Sequence, residues 1–95
     1  MKLEGRSSIV TGGAGGLGSA TVRRLVEVGM GVTVFDRDAD RAAELAKELG
    51  DAATAVGGDV NDDDDVAAAI DAAKAFFVTR LQTPSTPQRL LREGI

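Results

Sequence analysis

The 95-residue chain has no tyrosine, histidine, cysteine or tryptophan. Without cysteine there is no disulfide framework and no thiolate metal site. Without histidine, Ser7, Ser8 and Ser19 have no imidazole base to activate them. Long apolar runs are also missing. None could span a bilayer, and the opening Met-Lys-Leu-Glu-Gly-Arg lacks the apolar core of a signal peptide. A cytoplasmic location is the resulting expectation. Positive charge is in deficit, with 11 Lys and Arg against 15 Asp and Glu and a net charge of −4. That balance argues against nucleic acid or an anionic membrane as partner and suits simple solubility. Apolar residues make up 43%, too many for a disordered composition, and the length allows one small domain.

What is present is a regular alternation. Ser7-Ser8-Ile9-Val10-Thr11 reads as a short buried strand that stops at a glycine cluster. The spacing predicts a helix from about Gly16 to Val28, with Leu17, Thr21, Leu25 and Val28 on one face and Gly29 and Gly31 at its stop. Val32-Thr33-Val34-Phe35 is a second strand ending at Asp36. Asp38 is a candidate N-cap for a helix over 39–49, whose apolar stripe is Ala42, Leu45, Ala46 and Leu49 and whose stop is Gly50. Ala53-Thr54-Ala55-Val56 reads as a third strand, running through Gly57-Gly58 to Asp59. Asn61 is placed as the cap of a third helix, buried through Val66, Ala69, Ile70, Ala73 and Phe77. Asp62 to Asp65 load the first turn of that helix, where carboxylates meet the positive end of its dipole. A metal site in this acid run is the competing reading. Consecutive helical positions splay around the axis rather than converge, and capping explains them, so no metal ligand is expected.

The order β-α-β-α-β-α with short connections specifies an α/β fold with a parallel sheet, strand order 3-2-1. It forms one mononucleotide-binding half of a doubly wound architecture. After Phe77 the composition changes. Residues 1–77 hold fifteen alanines and neither proline nor glutamine, whereas 78–95 hold no alanine, both prolines and both glutamines. The segment 78–95 is positive, with three arginines against one glutamate. Val78 to Gln82 makes a poor buried strand. Thr86-Pro87 could start a short helix to Arg92, so coil or short helix is expected there.

The glycine cluster carries the chemistry. Backbone must come close to a pyrophosphate, and the following helix N-terminus supplies free N–H groups and a favourable dipole. Gly13-Ala14-Gly15-Gly16-Leu17-Gly18 fits G-x-G-x-x-G, while Thr11 with Gly12, Gly16 and Gly18 fits T-G-x-x-x-G-x-G. An acid, Asp36, ends the next strand eighteen residues after Gly18. A tight strand-to-helix turn without a ligand is the bland alternative.

Through Thr11 to Gly18, Asp36 and Asp59-Val60, the chain resembles the short-chain dehydrogenase/reductase family. Its wording is most similar to the type 2 3-hydroxyacyl-CoA dehydrogenase branch. The resemblance covers about residues 5–77 and implies a partial NAD(P)-binding Rossmann-type domain over 1–77, with 78–95 as a non-family tail. It also implies site roles. Gly12, Gly16 and Gly18 would frame the pyrophosphate, with the Leu17 amide as donor. Asp36 would accept the adenosine ribose hydroxyls, favouring NAD over NADP, although Arg37 beside it could pair with a 2′-phosphate. Asp59 and the Val60 amide would meet the adenine edge, with a turn or cap aspartate as the alternative for Asp59.

The family's Asn-Ala-Gly motif, its catalytic serine and its Tyr-x-x-x-Lys pair have no counterpart in this chain. The tyrosine would be the general acid/base. No catalytic residue is therefore expected here, and hydride transfer between NAD and a secondary alcohol or ketone is expected to be beyond the chain alone. The abrupt change inside a domain points to a truncated or frame-shifted product, ahead of a designed or split fragment or a true short module. The rival class is a non-catalytic nucleotide-binding or protein-interaction module. On the fragment reading the fourth strand that would pair beside the first is missing, so Ile9 and Val10 would lie at an exposed sheet edge, giving an expectation of self-association.

Overall fold

Short β-branched runs punctuated by glycine alternate with alanine- and leucine-rich segments of helical period, and the chain folds accordingly. A computed structural model describes residues 3–82. Its elements are β1 (Ser7–Thr11), α1 (Gly16–Glu27), β2 (Gly31–Asp36), α2 (Ala39–Leu49), β3 (Ala53–Gly57) and α3 (Asp63–Gln82), with a single 3-10 turn over Gly50–Ala52. The strands are parallel in the order β1-β2-β3, with Thr33 opposite both Ile9 and Thr54. The expected 3-2-1 sheet is therefore present.

The central strand explains the layering. Gly31 to Phe35 are all buried, as a parallel strand covered on both faces requires. Val32 and Val34 pack with Val22 of α1 and with Ala42 and Leu45 of α2, joined by Val10 and Ala55 from the flanking strands. Strand alternation sends Thr33 and Phe35 to the opposite face, where α3 packs. Each fully buried Val or Phe contributes about 1.5–3 kcal/mol relative to exposure.

α2 follows its sequence reading: the Asp38 carboxylate accepts the Arg41 N–H at 3.1 Å, and Ala42, Leu45 and Ala46 are buried. α1 presents the expected face only in part, through Leu25. Leu17 is 85% exposed, whereas Val22 is wholly buried with Leu25 and Val26 beside it. The helix is turned so that Gly18 faces the loop. A face that begins with a residue lacking a side chain cannot be found by counting apolar positions.

α3 brings three further corrections. Its cap is Asp62, not Asn61: the Asp62 carboxylate accepts the Asp64 and Asp65 N–H groups at 2.9 and 3.1 Å. The helix also continues to Gln82, through the change of composition at Phe77. Arg80 explains the extension, because its guanidinium lies over the Phe76 ring, 5.7 Å from the centroid, and against Gly31. Ile70, expected in the buried stripe, is 40% exposed, while Ala69 is buried.

β1 has β2 on one side, and among the described residues no strand flanks the other. A cleft of about 590 Å³ lies there, with Ser7, Ile9, Ile70, Ala73, Lys74 and Phe77 in its walls. No described helix is long and apolar enough to cross a membrane. The short helix expected from Thr86 falls outside the described residues.

Candidate nucleotide-binding site

The site forms where three strands end. β1 stops at Thr11, and Gly12 turns the chain with φ of 66°, a conformation that favours glycine. The Gly12 N–H donates to the Phe35 carbonyl at 2.8 Å, fixing the turn against β2. The Gly15 N–H returns to the Gly12 carbonyl at 3.1 Å. α1 then begins at Gly16 with no side-chain cap. Its first intrahelical bond runs from the Ser19 N–H to the Gly15 carbonyl at 2.7 Å, so the N–H groups of Gly16, Leu17 and Gly18 precede the ladder. Such a terminus attracts anions. Gly18 is required by proximity: a Cβ there would collide with the Gly12 carbonyl oxygen and lie 2.9 Å from Gly13 Cα.

Asp36 closes β2 beside this turn. Its Oδ2 accepts the Ala14 N–H at 2.9 Å and its Oδ1 the Asp38 N–H at 2.8 Å. The Asp38 amide, then the Ala14 amide, hold its carboxyl below the ordinary value of 3.8. Arg41 adds to this, against a partial desolvation that acts the other way. Asp36 is therefore anionic at neutral pH.

A cleft of about 300 Å³ opens over these groups, with Gly12, Phe35, Asp36, Arg37, Gly58 and Val60 in its walls. Four expected site residues thus share one cavity: Gly12, Asp36, Arg37 and Val60. Gly16, Leu17 and Gly18 form the adjoining helix start. Asp59 stands apart, with its Oδ1 accepting the Asn61 N–H at 2.8 Å and its own N–H donating to Asp65 Oδ2 at 2.9 Å. Its side chain works in a turn.

Sequence reasoning missed Ala14, Phe35 and Gly58. Ala14 contributes a backbone amide, which leaves no side-chain signature. Gly58 was visible in the Gly57-Gly58 pair, and a Cβ there would lie 2.7 Å from the Phe35 ring.

A parallel β-α-β unit whose glycine turn feeds an uncapped helix, with a carboxylate at the tip of the neighbouring strand, is the nucleotide-binding half of a doubly wound protein. The chain belongs to the short chain dehydrogenase family, whose family model matches residues 6–82. The match includes 78–82, the last residues of α3.

Among curated relatives, 3-hydroxyacyl-CoA dehydrogenase type-2 of Drosophila melanogaster is 47% identical over 70 residues, covering 74% of this chain and 28% of the relative. Momilactone A synthase of Oryza sativa subsp. japonica is 46% identical over 77 residues, covering 80% and 28%. The chain therefore spans under a third of the length of these relatives. The crystal structure of 3-hydroxyacyl-CoA dehydrogenase type-2 from Mycobacterium avium is similar at 51% identity and a TM-score of 0.75, over 79% of this chain and 30% of that one. 3-Ketoacyl-(acyl-carrier-protein) reductase from Brucella melitensis, complexed with NADH, is similar at 40% identity and a TM-score of 0.77, over 79% and 31%.

Proposed function

We propose that the chain holds the adenosine and pyrophosphate half of a nicotinamide dinucleotide, and takes NAD in preference to NADP. The observation that carries this reading is the Asp36 carboxylate, fixed at the mouth of the cleft. A carboxylate offers about four acceptor positions. The Ala14 and Asp38 amides take one on each oxygen. One position per oxygen is left, matched to the two hydroxyls of a ribose diol. A 2′-phosphate offers no such donor and meets a like charge. Arg37 could pair with that phosphate, but no basic residue stands in the glycine turn. The Gly16, Leu17 and Gly18 amides would receive the pyrophosphate, and Gly12 would let it approach. The Val60 amide would border the adenine, while Asp59 shapes the turn that carries it.

Bound NAD supplies hydride acceptance at its nicotinamide ring. Similarity to the named dehydrogenases and reductase supports hydride exchange with a secondary alcohol or ketone, of which a 3-hydroxyacyl thioester is one, as the activity of the whole protein. The general acid/base tyrosine the family uses is absent from these 95 residues. The chain alone binds and does not turn over. Its acidic composition supports a small dinucleotide rather than nucleic acid as partner.

Two measurements test the reading. Calorimetry should find NAD and ADP binding with similar weak affinity and NADP binding more weakly. Nicotinamide absorbance should stay constant with secondary alcohols or ketones. Equal binding of NAD and NADP, or an absorbance change that survives repurification, would refute it.

A further inference from the structure

Beyond the Gly15 N–H bond to the Gly12 carbonyl and the packing of the Ala14 methyl into the core, the glycine turn has little of its own to hold it. From Gly12 to Gly16 the largest side chain is the Ala14 methyl, and glycine loses more conformational freedom on ordering than any other residue. Yet Ala14 is 7% exposed, and its N–H is bound to a carboxylate 22 residues away. We infer that Asp36 is a positioning residue for the anion-binding turn as well as a ribose acceptor: its carboxylate shapes the glycine loop before any ligand arrives.

The geometry makes Asp36 a junction. Through Oδ2 it holds the loop that leads into α1. Through Oδ1 it holds the Asp38 amide, and Asp38 in turn caps α2 by accepting the Arg41 N–H. The starts of both helices on one face of the sheet are thus referenced to one carboxylate. The Gly12 N–H bond to the Phe35 carbonyl fixes the first residue of the turn independently. Loss of Asp36 should therefore loosen the turn from Ala14 onward and leave Gly12 in place.

The consequence separates this role from ribose recognition. Inorganic pyrophosphate has no ribose. If Asp36 only received hydroxyls, its removal would leave pyrophosphate binding unchanged, or tighten it by removing a negative charge. If Asp36 shapes the turn, its removal weakens pyrophosphate binding. This part rests on the reading that the α1 amides receive pyrophosphate; the effect on the ligand-free loop does not.

The test uses the 95-residue chain, wild type and Asp36→Ala, with amide hydrogen exchange by NMR and titration with inorganic pyrophosphate. The expected result in the ligand-free variant is at least tenfold faster exchange at Ala14, with Gly12 changed less than twofold. Pyrophosphate affinity should fall at least threefold. If Asp36→Ala does not fold, Asp36→Asn replaces it. Only one of the two side-chain positions then accepts, the other being an NH2 donor, so Ala14 or Asp38 loses its acceptor and should exchange at least tenfold faster. Unchanged exchange at these amides, or pyrophosphate binding as tight in the variant as in wild type, overturns the inference. Failure of the wild type to bind pyrophosphate at millimolar concentration would instead count against the proposed pyrophosphate site, while the exchange data still decide the role of Asp36.

Discussion

The Asp36 carboxylate and the Ala14 backbone N–H stand 2.9 Å apart, and that bond joins the tip of β2 to the turn between β1 and α1. It anchors the carboxylate to a loop residue two positions before the start of α1. The Ala14 amide lies outside the helix, so the first helical amides stay free for an anion. With the Gly12 N–H bond to the Phe35 carbonyl, the Asp36–Ala14 bond ties the two halves of the site together, between residues that no local pattern connects.

Acid should weaken this junction. The Asp38 and Ala14 amides depress the Asp36 pKa below 3.8 in the folded chain. A depressed carboxyl contributes fully above its unfolded value and loses that contribution as pH falls through the folded one. Asp36 should therefore support stability at neutral pH and progressively less below 3.8. Glu48, held low by Arg23, acts in the same direction, so the comparison must be made at one residue. Chemical unfolding from pH 7 down to acid should give a shallower acid limb for Asp36→Asn than for wild type. Parallel curves would remove the linkage.

Gly18→Ala should damage the site and the fold together. The new Cβ meets the backbone of Gly12 and Gly13, which cannot swing aside like a long side chain. Overpacking of this kind typically costs about 1–3 kcal/mol. Denaturant titration should show the loss, and ADP binding should weaken at temperatures where the variant is still folded. A variant with wild-type stability and affinity would mean that the α1 start is not held as described.

Phe35→Ala should be more severe. The ring is 2% exposed, touches the site through Gly58, and belongs to the central strand. Removal of a buried phenylalanine costs about 3–5 kcal/mol, a large share of the 5–15 kcal/mol that holds a whole domain. Circular dichroism should find the variant largely unfolded at temperatures where wild type is folded. A cooperative transition within a few degrees of wild type would contradict the packing of α3 on β2.

Much of the fold was legible because its signals are local. The glycine stops, the β-branched run Val32 to Phe35 and the Asp38 cap each depend on neighbours in sequence. The parallel topology followed from alternation alone. Three features were hidden for physical reasons. The buried face of α1 begins at Gly18, which carries no hydrophobic signal. The α3 cap passed from Asn61 to Asp62 because both residue types cap helices and only geometry chooses between them. The helix ran past Phe77 because Arg80 found Phe76 and Gly31, a contact made only once the sheet exists. In the site, the Asp36 side chain and the helix-start amides could be read from the motif, whereas a loop amide with a distant partner could not. Asp36 was visible, and the Ala14 amide that fixes it was not.

The most direct test of the account is calorimetric titration of the 95-residue chain, wild type and Asp36→Ala, with NAD and NADP. Hydrogen bonds to a charged acceptor contribute about 1.5–3 kcal/mol. The account predicts that wild type prefers NAD. It further predicts that Asp36→Ala loses about tenfold or more in NAD affinity, and that the variant no longer discriminates against the 2′-phosphate. Equal NAD affinity in the two proteins, with discrimination unchanged, would contradict the account.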